Sequence, residues 1–122
     1  MNITYDTGAL LAADRNDRAM WARHVAALKR GCLITVPAPV LAQAWRGRTQ
    51  ARLAQLLAGC HVEALMPEQA RRVGELAART RRHDVVDLAV AEGALRRGDV
   101  VWTSDPEDIE RAGIPQQRIQ RV

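Results

Sequence analysis

The chain has 122 residues, close to the size of one domain, so we expect a single domain over residues 1–122. Hydrophobic residues make up 48% and charged residues 26%, which excludes disordered and fibrous proteins. The formal charge is +4, and Lys29 is the only lysine among 18 basic residues. No apolar stretch reaches the roughly 18 residues that cross a bilayer, and the N-terminus lacks the pattern of a signal peptide. We therefore expect a cytoplasmic protein without a membrane segment.

Strands and helices are predicted to alternate along the first half of the chain. The predicted elements are a strand at 2–6, a helix from 7 to 13, a helix from 17 to about 30, a strand at 32–36, a helix to about 45, a helix at 48–58 and a strand at 61–65. Gly31 and Gly47 mark ends of helices. The second helix has a stripe predicted to face the core, formed by Met20, Trp21, His24, Val25 and Leu28.

The second half continues the alternation and completes the fold class. The predicted elements are a helix from 67 to about 80, a basic linker to 83, a helix from 84 to 98, a strand at 100–103, a short helix from 106 and a strand at 118–122. About five strands alternating with helices predict an α/β fold, with a parallel sheet covered by helices on both faces.

Four aspartates fall near the carboxyl ends of predicted strands, where parallel sheets bind ligands. Asp6 ends the first strand and Asp105 follows the fourth, while the spacing of Asp84 and Asp87 places both on one face of a helix. Two carboxylates about 4 Å apart repel each other by about 4 kcal/mol at an effective dielectric near 20. A cation would relieve this repulsion, and ligand oxygens without Cys or His favour Mg²⁺ or Mn²⁺.

Each of these acids also has a structural interpretation. Asp84 could cap its helix, Asp105 and Asp108 could cap the last helix, and Asp6 could be a turn residue. Asp99 and the glutamates are expected to be solvated or capping. The many arginines could face phosphates, or they could be solvated faces of amphipathic helices.

Several site classes are excluded by missing motifs. Cys32 and Cys60 lack CxxC spacing and neighbouring ligands, so we expect free cysteines rather than a zinc site or a disulfide. No GxGxxG or GxxxxGK[ST] motif is present, which leaves dinucleotide and P-loop sites without support. A phosphoacceptor or a haloacid-dehalogenase-type phosphatase would need an acid near Gly8 and a late lysine. A metal-dependent phosphodiesterase remains.

Four segments together resemble the PIN-domain ribonucleases of the VapC toxin type. They are YDTGALLAA at the start, VPAPVLAQAWRG after the second strand, DVVDLAVAEGA near residue 84 and VVWTSDPEDI near the end. The resemblance spans nearly the whole chain, and it implies a single PIN-like domain with an acidic pocket for Mg²⁺ or Mn²⁺. It also implies ribonuclease activity, a homodimer, and a small antitoxin partner that blocks the site.

The resemblance assigns roles to individual residues. Asp6, Asp87 and Asp105 match the family's metal-binding, catalytic acids. The expected supporting residues are Asp84, Asp108, Gln43, Thr7, Thr103 and Ser104, and the residues expected to contact the RNA backbone are Arg46 and Arg48. Gln43 departs from the family pattern, because most members have glutamate there.

The departure at Gln43 leaves two functions open. The first is a metal-dependent endoribonuclease, the toxin of a toxin-antitoxin pair, that hydrolyses RNA with a metal-activated water. The second is a PIN-fold binding module with weak or no catalysis. The three tryptophans are expected in the core or at a dimer face, with Trp45 as a candidate platform for base stacking.

Overall fold

A computed structural model describes residues 1–122. The strands are β1 (Ile3–Tyr5), β2 (Ile34–Pro37), β3 (His61–Glu63), β4 (Val100–Thr103) and β5 (Ile119–Arg121). The helices are α1 (Thr7–Asp14), α2 (Arg18–Lys29), α3 (Ala38–Ala44), α4 (Ala51–Leu57), α5 (Pro67–Thr80), α6 (Val85–Arg97) and α7 (Pro106–Arg111), with a 3₁₀ turn at Gln116–Arg118.

The five strands form one parallel sheet in the order β3-β2-β1-β4-β5. The central pair is β1 and β4, in which Tyr5 lies opposite Trp102. Parallel strands need helical crossovers, and the seven helices supply them. The predicted α/β class and parallel sheet are confirmed.

The helices cover both faces of this sheet. From β1 the chain moves outward through β2 to β3, and it then crosses to β4 and continues to β5 in the opposite direction. Because crossovers between parallel strands are right-handed, these two directions place the helices on opposite faces. The contacts agree for most helices, since α1 packs against α2 and α4, whereas α6 packs against α5 and α7; α3 contacts both α1 and α6.

Most predicted boundaries lie within a few residues of the observed ones. The largest difference at a helix start is α4, which begins at Ala51 rather than residue 48 because Gln50 binds back to preceding backbone groups. The 3₁₀ turn before β5 was not predicted. None of the helices has the length and apolar character needed to pass through a membrane.

The core stripe of α2 differs in part from the prediction. Met20, His24 and Ala27 are buried, but Val25 and Leu28 are about 40% exposed, so the predicted stripe was wrong at these two positions. His24 is held in the core by its Nδ1, which shares a hydrogen bond of 2.8 Å with the hydroxyl of Tyr5. Burial lowers the pKa of His24, which favours the neutral ring at this place.

The expectation that Asp99 and the glutamates are solvated was wrong for two of them. Asp99 is only 1% exposed, and its Oδ2 accepts hydrogen bonds of 2.8 Å from both Thr4 and Arg97. Arg97 also pairs with Glu63 at 2.8 Å. Glu92 is buried as well and pairs with arginines of α5 and α6 at 3.1 Å. A buried ionic network therefore lies between α6 and the sheet.

Candidate functional site

The candidate site lies at the carboxyl ends of β1 and β4, where the winding direction of the sheet reverses. The chain leaves β1 toward β2 and leaves β4 toward β5, so this is the switch point at which open parallel sheets bind ligands. The amide of Asp6 donates to the carbonyl of Trp102 at 3.1 Å, which ties the end of β1 to β4. Asp6 and Asp105 follow these two strands, so both lie on the rim formed by the carboxyl ends of β1 and β4.

Asp6 is buried at the start of α1. It is 6% exposed, and its Oδ1 accepts a hydrogen bond of 3.1 Å from the amide of Ala9, so it is the N-cap of α1. Burial raises the pKa of Asp6, and the negative charge of Asp105 raises it further. Hydrogen bonds from Thr103, Ala9 and Gly8 oppose this shift. The carboxylate is thus both a structural cap and a member of an acidic group.

Gly8 allows the first turn of α1 to approach Ser104 closely, a contact that the sequence did not predict. A Cβ at Gly8 would lie 1.9 Å from Oγ, 2.7 Å from Cβ and 3.0 Å from the backbone nitrogen of Ser104. Only glycine therefore allows the first turn of α1 to lie against the segment after β4. A glycine in the first turn of a helix, against its low helix propensity, is the sequence signal that could have identified this contact.

The start of α6 brings two further acids to the same rim. Asp84 is the N-cap of α6, and its Oδ1 accepts from the amides of Val86 and Asp87 at 3.0 and 3.1 Å. The structural interpretation of Asp84 is thus confirmed. Asp87 is half-buried, and burial together with the charges of Asp84, Asp108, Asp6 and Asp105 raises its pKa to about 6. The charges of all the other acids of the rim therefore contribute to the raised pKa of Asp87.

Asp105 and Asp108 lie after β4 on the same rim, close enough for their charges to act on Asp87. Asp105 precedes α7 but makes no capping hydrogen bond, so its expected role as a cap was wrong. Its amide donates instead to Oγ1 of Thr103 at 2.9 Å. A hydrogen bond with Asp105 raises the pKa of Asp108, while Arg82, which pairs with Asp108 at 3.4 Å, acts to lower it. The sequence offered Arg82 only as one of the arginines that could face phosphates, and it gave no sign of the partner, which is 26 residues away.

Gln43 and Thr7 lie on the α3 side of the site. The hydroxyl of Thr7 donates to Oε1 of Gln43 at 2.5 Å, which links the first residue of α1 to the last turn of α3. Gln43 is exposed and Thr7 is half-buried. The residue that replaces the family's glutamate is therefore in contact with the neighbour of Asp6.

The two predicted RNA-binding arginines have different surroundings. Arg46 is exposed, but its Nη1 donates to the carbonyls of Ala42 and Trp45 at 3.2 and 2.7 Å, so it caps the end of α3. Arg48 is exposed and forms no ion pair or side-chain hydrogen bond in the structure. Trp45 is 40% exposed, unlike Trp102 in the core. Arg48 is thus the arginine left free for a phosphate.

The acidic rim fits a hard cation in its chemistry, although it is not a finished coordination shell. No three Asp, Glu, His or Cys side chains are gathered closely enough to form a metal site. The available donors are carboxylate oxygens, and burial together with their mutual repulsion raises the pKa of Asp87. Mg²⁺ keeps several waters and is commonly held by one or two carboxylates plus substrate phosphates. The residues present therefore fit such an ion without forming a closed cage.

The overall architecture resembles solved structures despite low sequence identity. No protein-family model and no curated protein sequence matches the chain. A chain in the crystal structure of VapBC2 from Rickettsia felis, bound to a DNA fragment from their promoter, superposes with a TM-score of 0.78. The identity is 16%, and the match covers 100% of this chain and 99% of that chain. The chain has a PIN-like fold. At this identity the similarity establishes the fold alone.

Proposed function

We propose that the protein is a metal-dependent endoribonuclease. The observation that supports this most is the placement of five aspartates at the switch point of a PIN-like fold, where burial and the other four charges raise the pKa of Asp87 to about 6. Negative charge concentrated in one place is costly for folding, so its presence favours a role in binding a cation and a phosphodiester.

Asp6, Asp87 and Asp105 would hold Mg²⁺ or Mn²⁺, which supplies a Lewis acid for the phosphodiester and an activated water. The cap of α1 fixes the carboxylate of Asp6, and Thr103 fixes the backbone of Asp105. Asp84 orients the first turn of α6, from which Asp87 projects. These residues keep the acids in place while the RNA backbone binds, with Arg48 as a contact to a neighbouring phosphate.

The direct test is cleavage of labelled transfer and ribosomal RNA with Mg²⁺, Mn²⁺ or EDTA. We expect cleavage with either metal, none with EDTA, and a loss of at least a hundredfold in Asp6→Asn, because a neutral amide in a buried site cannot replace a metal-binding carboxylate. Glu110→Gln is the matched control, since Glu110 is an exposed, unpaired acid on α7. Equal cleavage by Asp6→Asn and the native chain would refute the proposal.

We further propose that the protein acts as the toxin of a toxin-antitoxin pair, with a small antitoxin as its partner and a homodimer as its assembly. One structural neighbour is a chain in the crystal structure of VapBC2 bound to a DNA fragment from their promoter, which supports this role. Expressed alone, the chain should slow bacterial growth, and Asp6→Asn should relieve the effect. Growth inhibition that is unchanged by Asp6→Asn would argue against toxicity through RNA cleavage.

A catalytically weak binding module is the second candidate. The absence of a preformed metal site and the neutral Gln43 favour it. The same RNA experiment separates the two, because a binding module would retain RNA without cutting it under any metal condition.

A further inference from the structure

The amide oxygen of Gln43 already accepts a hydrogen bond from Thr7. The hydroxyl of Thr7 donates to it at 2.5 Å, which is at the short end of the range for O–H···O hydrogen bonds and below the range for N–H···O hydrogen bonds. The oxygen therefore faces Thr7, and the amide nitrogen lies on the other branch of the planar group. That nitrogen forms no hydrogen bond within the chain, and Gln43 is exposed.

The group of Gln43 that has no partner within the chain is therefore a donor. A glutamate here would offer a second, negatively charged acceptor to a cation, whereas Gln43 offers two N–H bonds. Groups of that kind bind acceptor oxygens, and the non-bridging oxygens of a phosphodiester are such acceptors. Arg48, five residues later in the sequence, is also exposed and has no ion pair.

We propose that Gln43 binds the RNA backbone and is not a metal ligand. Its amide nitrogen donates to a non-bridging oxygen of a phosphate that enters beside the acidic rim, while Thr7 acts as the positioning residue that orients the amide. This inference rests on the proposed ribonuclease function. The neutral donor also has an electrostatic advantage, since the rim acids repel an incoming phosphate and a glutamate at position 43 would add to that repulsion.

Binding of a fluorescein-labelled single-stranded RNA dodecamer in EDTA tests the proposal without any cleavage. Fluorescence anisotropy should give a dissociation constant about tenfold higher for Gln43→Glu, which loses the donor and gains a charge. Gln43→Met, which loses only the polar group, should raise it by about fivefold. Thr7→Val should have a smaller effect in the same direction, because the amide is then free to rotate.

Gln55→Glu is the matched control, since Gln55 is exposed on α4 and the substitution adds the same charge outside the site. We expect a change of less than twofold. RNA affinity within twofold of the native value in both Gln43→Glu and Gln43→Met would overturn the proposal, and so would an equal loss in Gln55→Glu. Failure of the native chain to bind the RNA would overturn it too.

A second measurement, cleavage of the same RNA with Mn²⁺, keeps the two proposals apart. If the affinities follow the expected order but the native chain does not cleave with Mn²⁺, the ribonuclease function fails and the role of Gln43 in binding stands. If the native chain cleaves and the position 43 variants bind RNA normally, the ribonuclease stands and the assignment of Gln43 fails. Thermal unfolding of each variant checks that the fold is intact.

Discussion

The electrostatic cost of bringing the rim acids together is evident at Asp87. Its pKa of about 6 in the folded chain exceeds the ordinary aspartate value of 3.8. The folded state therefore holds a proton that the unfolded state releases, and stability falls as the pH rises from about 4 to 6. Above pH 6 the full cost of the charged carboxylate is present.

We accordingly expect Asp87→Asn to raise the free energy of unfolding by about 1 kcal/mol at pH 7.5, after allowance for solvent screening. The gain should shrink toward zero near pH 4. Urea unfolding of both chains at the two pH values measures this, with Glu110→Gln as a control that changes neither. A variant that is less stable at both pH values would show that Asp87 is held by favourable contacts instead.

Local sequence patterns predicted the positions of some residues but not the long-range contacts of others. The positions of Asp6, Asp87 and Asp105 followed from strand ends and helix starts, which local patterns indicate well. The burial of Asp99 did not follow, because the hydroxyl that binds it belongs to Thr4, 95 residues earlier in the chain. Such a long-range contact leaves no local signal. The orientation of Gln43 likewise depends on Thr7 from another helix.

Among the elements, the first turn of α1 depends on the lack of a side chain at Gly8, which allows this turn to lie against Ser104. Gly8→Ala should lower the free energy of unfolding by about 1–3 kcal/mol, because the new methyl overlaps Ser104. Rotation of the Ser104 hydroxyl cannot relieve this, since the Cβ and backbone nitrogen also lie within 3.0 Å. The thermal midpoint measures the effect.

Gly74→Ala is the matched control in α5. A Cβ there meets nothing within 4 Å, so alanine should stabilise the helix by about 0.5–1 kcal/mol. The double variant Gly8→Ala with Ser104→Gly should recover part of the loss. A Gly8→Ala chain as stable as the native one would mean that α1 and the β4–α7 segment separate easily.

The sequence predicted the alternation of helices and strands well, but it predicted less well which face of a helix points to the core. Val25 and Leu28 were assigned to the core of α2 on hydrophobicity, but the observed periodicity selects the smaller Ala27. The element against which a helix packs decides which side of the helix faces the core, and the sequence of the helix alone does not identify that element. Element boundaries set by prolines and glycines, such as those of α5 and α6, were the most predictable.

Across the whole molecule, the network around Arg97 joins α6 to β1, to β3 and to Asp99, the residue before β4. Arg97 contacts Thr4, Glu63 and Asp99 through separate nitrogens. Arg97→Met should cost about 3–5 kcal/mol, because it leaves the buried charge of Asp99 without its partner. Arg111→Met, which removes only exposed ion pairs, should change stability by less than about 0.5 kcal/mol.

Urea unfolding measures both changes. Adding Asp99→Asn to Arg97→Met should restore part of the loss, since a neutral amide is easier to bury than an unpaired carboxylate. Equal effects of the two arginine substitutions would mean that the network contributes no more than surface charge does.

The strand order has a consequence for how the molecule behaves at high concentration. Its two edge strands, β3 and β5, are three residues long, and they carry His61, Glu63 and Arg121. Short, charged edges offer little unpaired backbone for pairing with strands of other molecules. The apolar strands that would make efficient seeds for fibres are enclosed in the middle of the sheet, so the folded chain is protected against edge-to-edge aggregation.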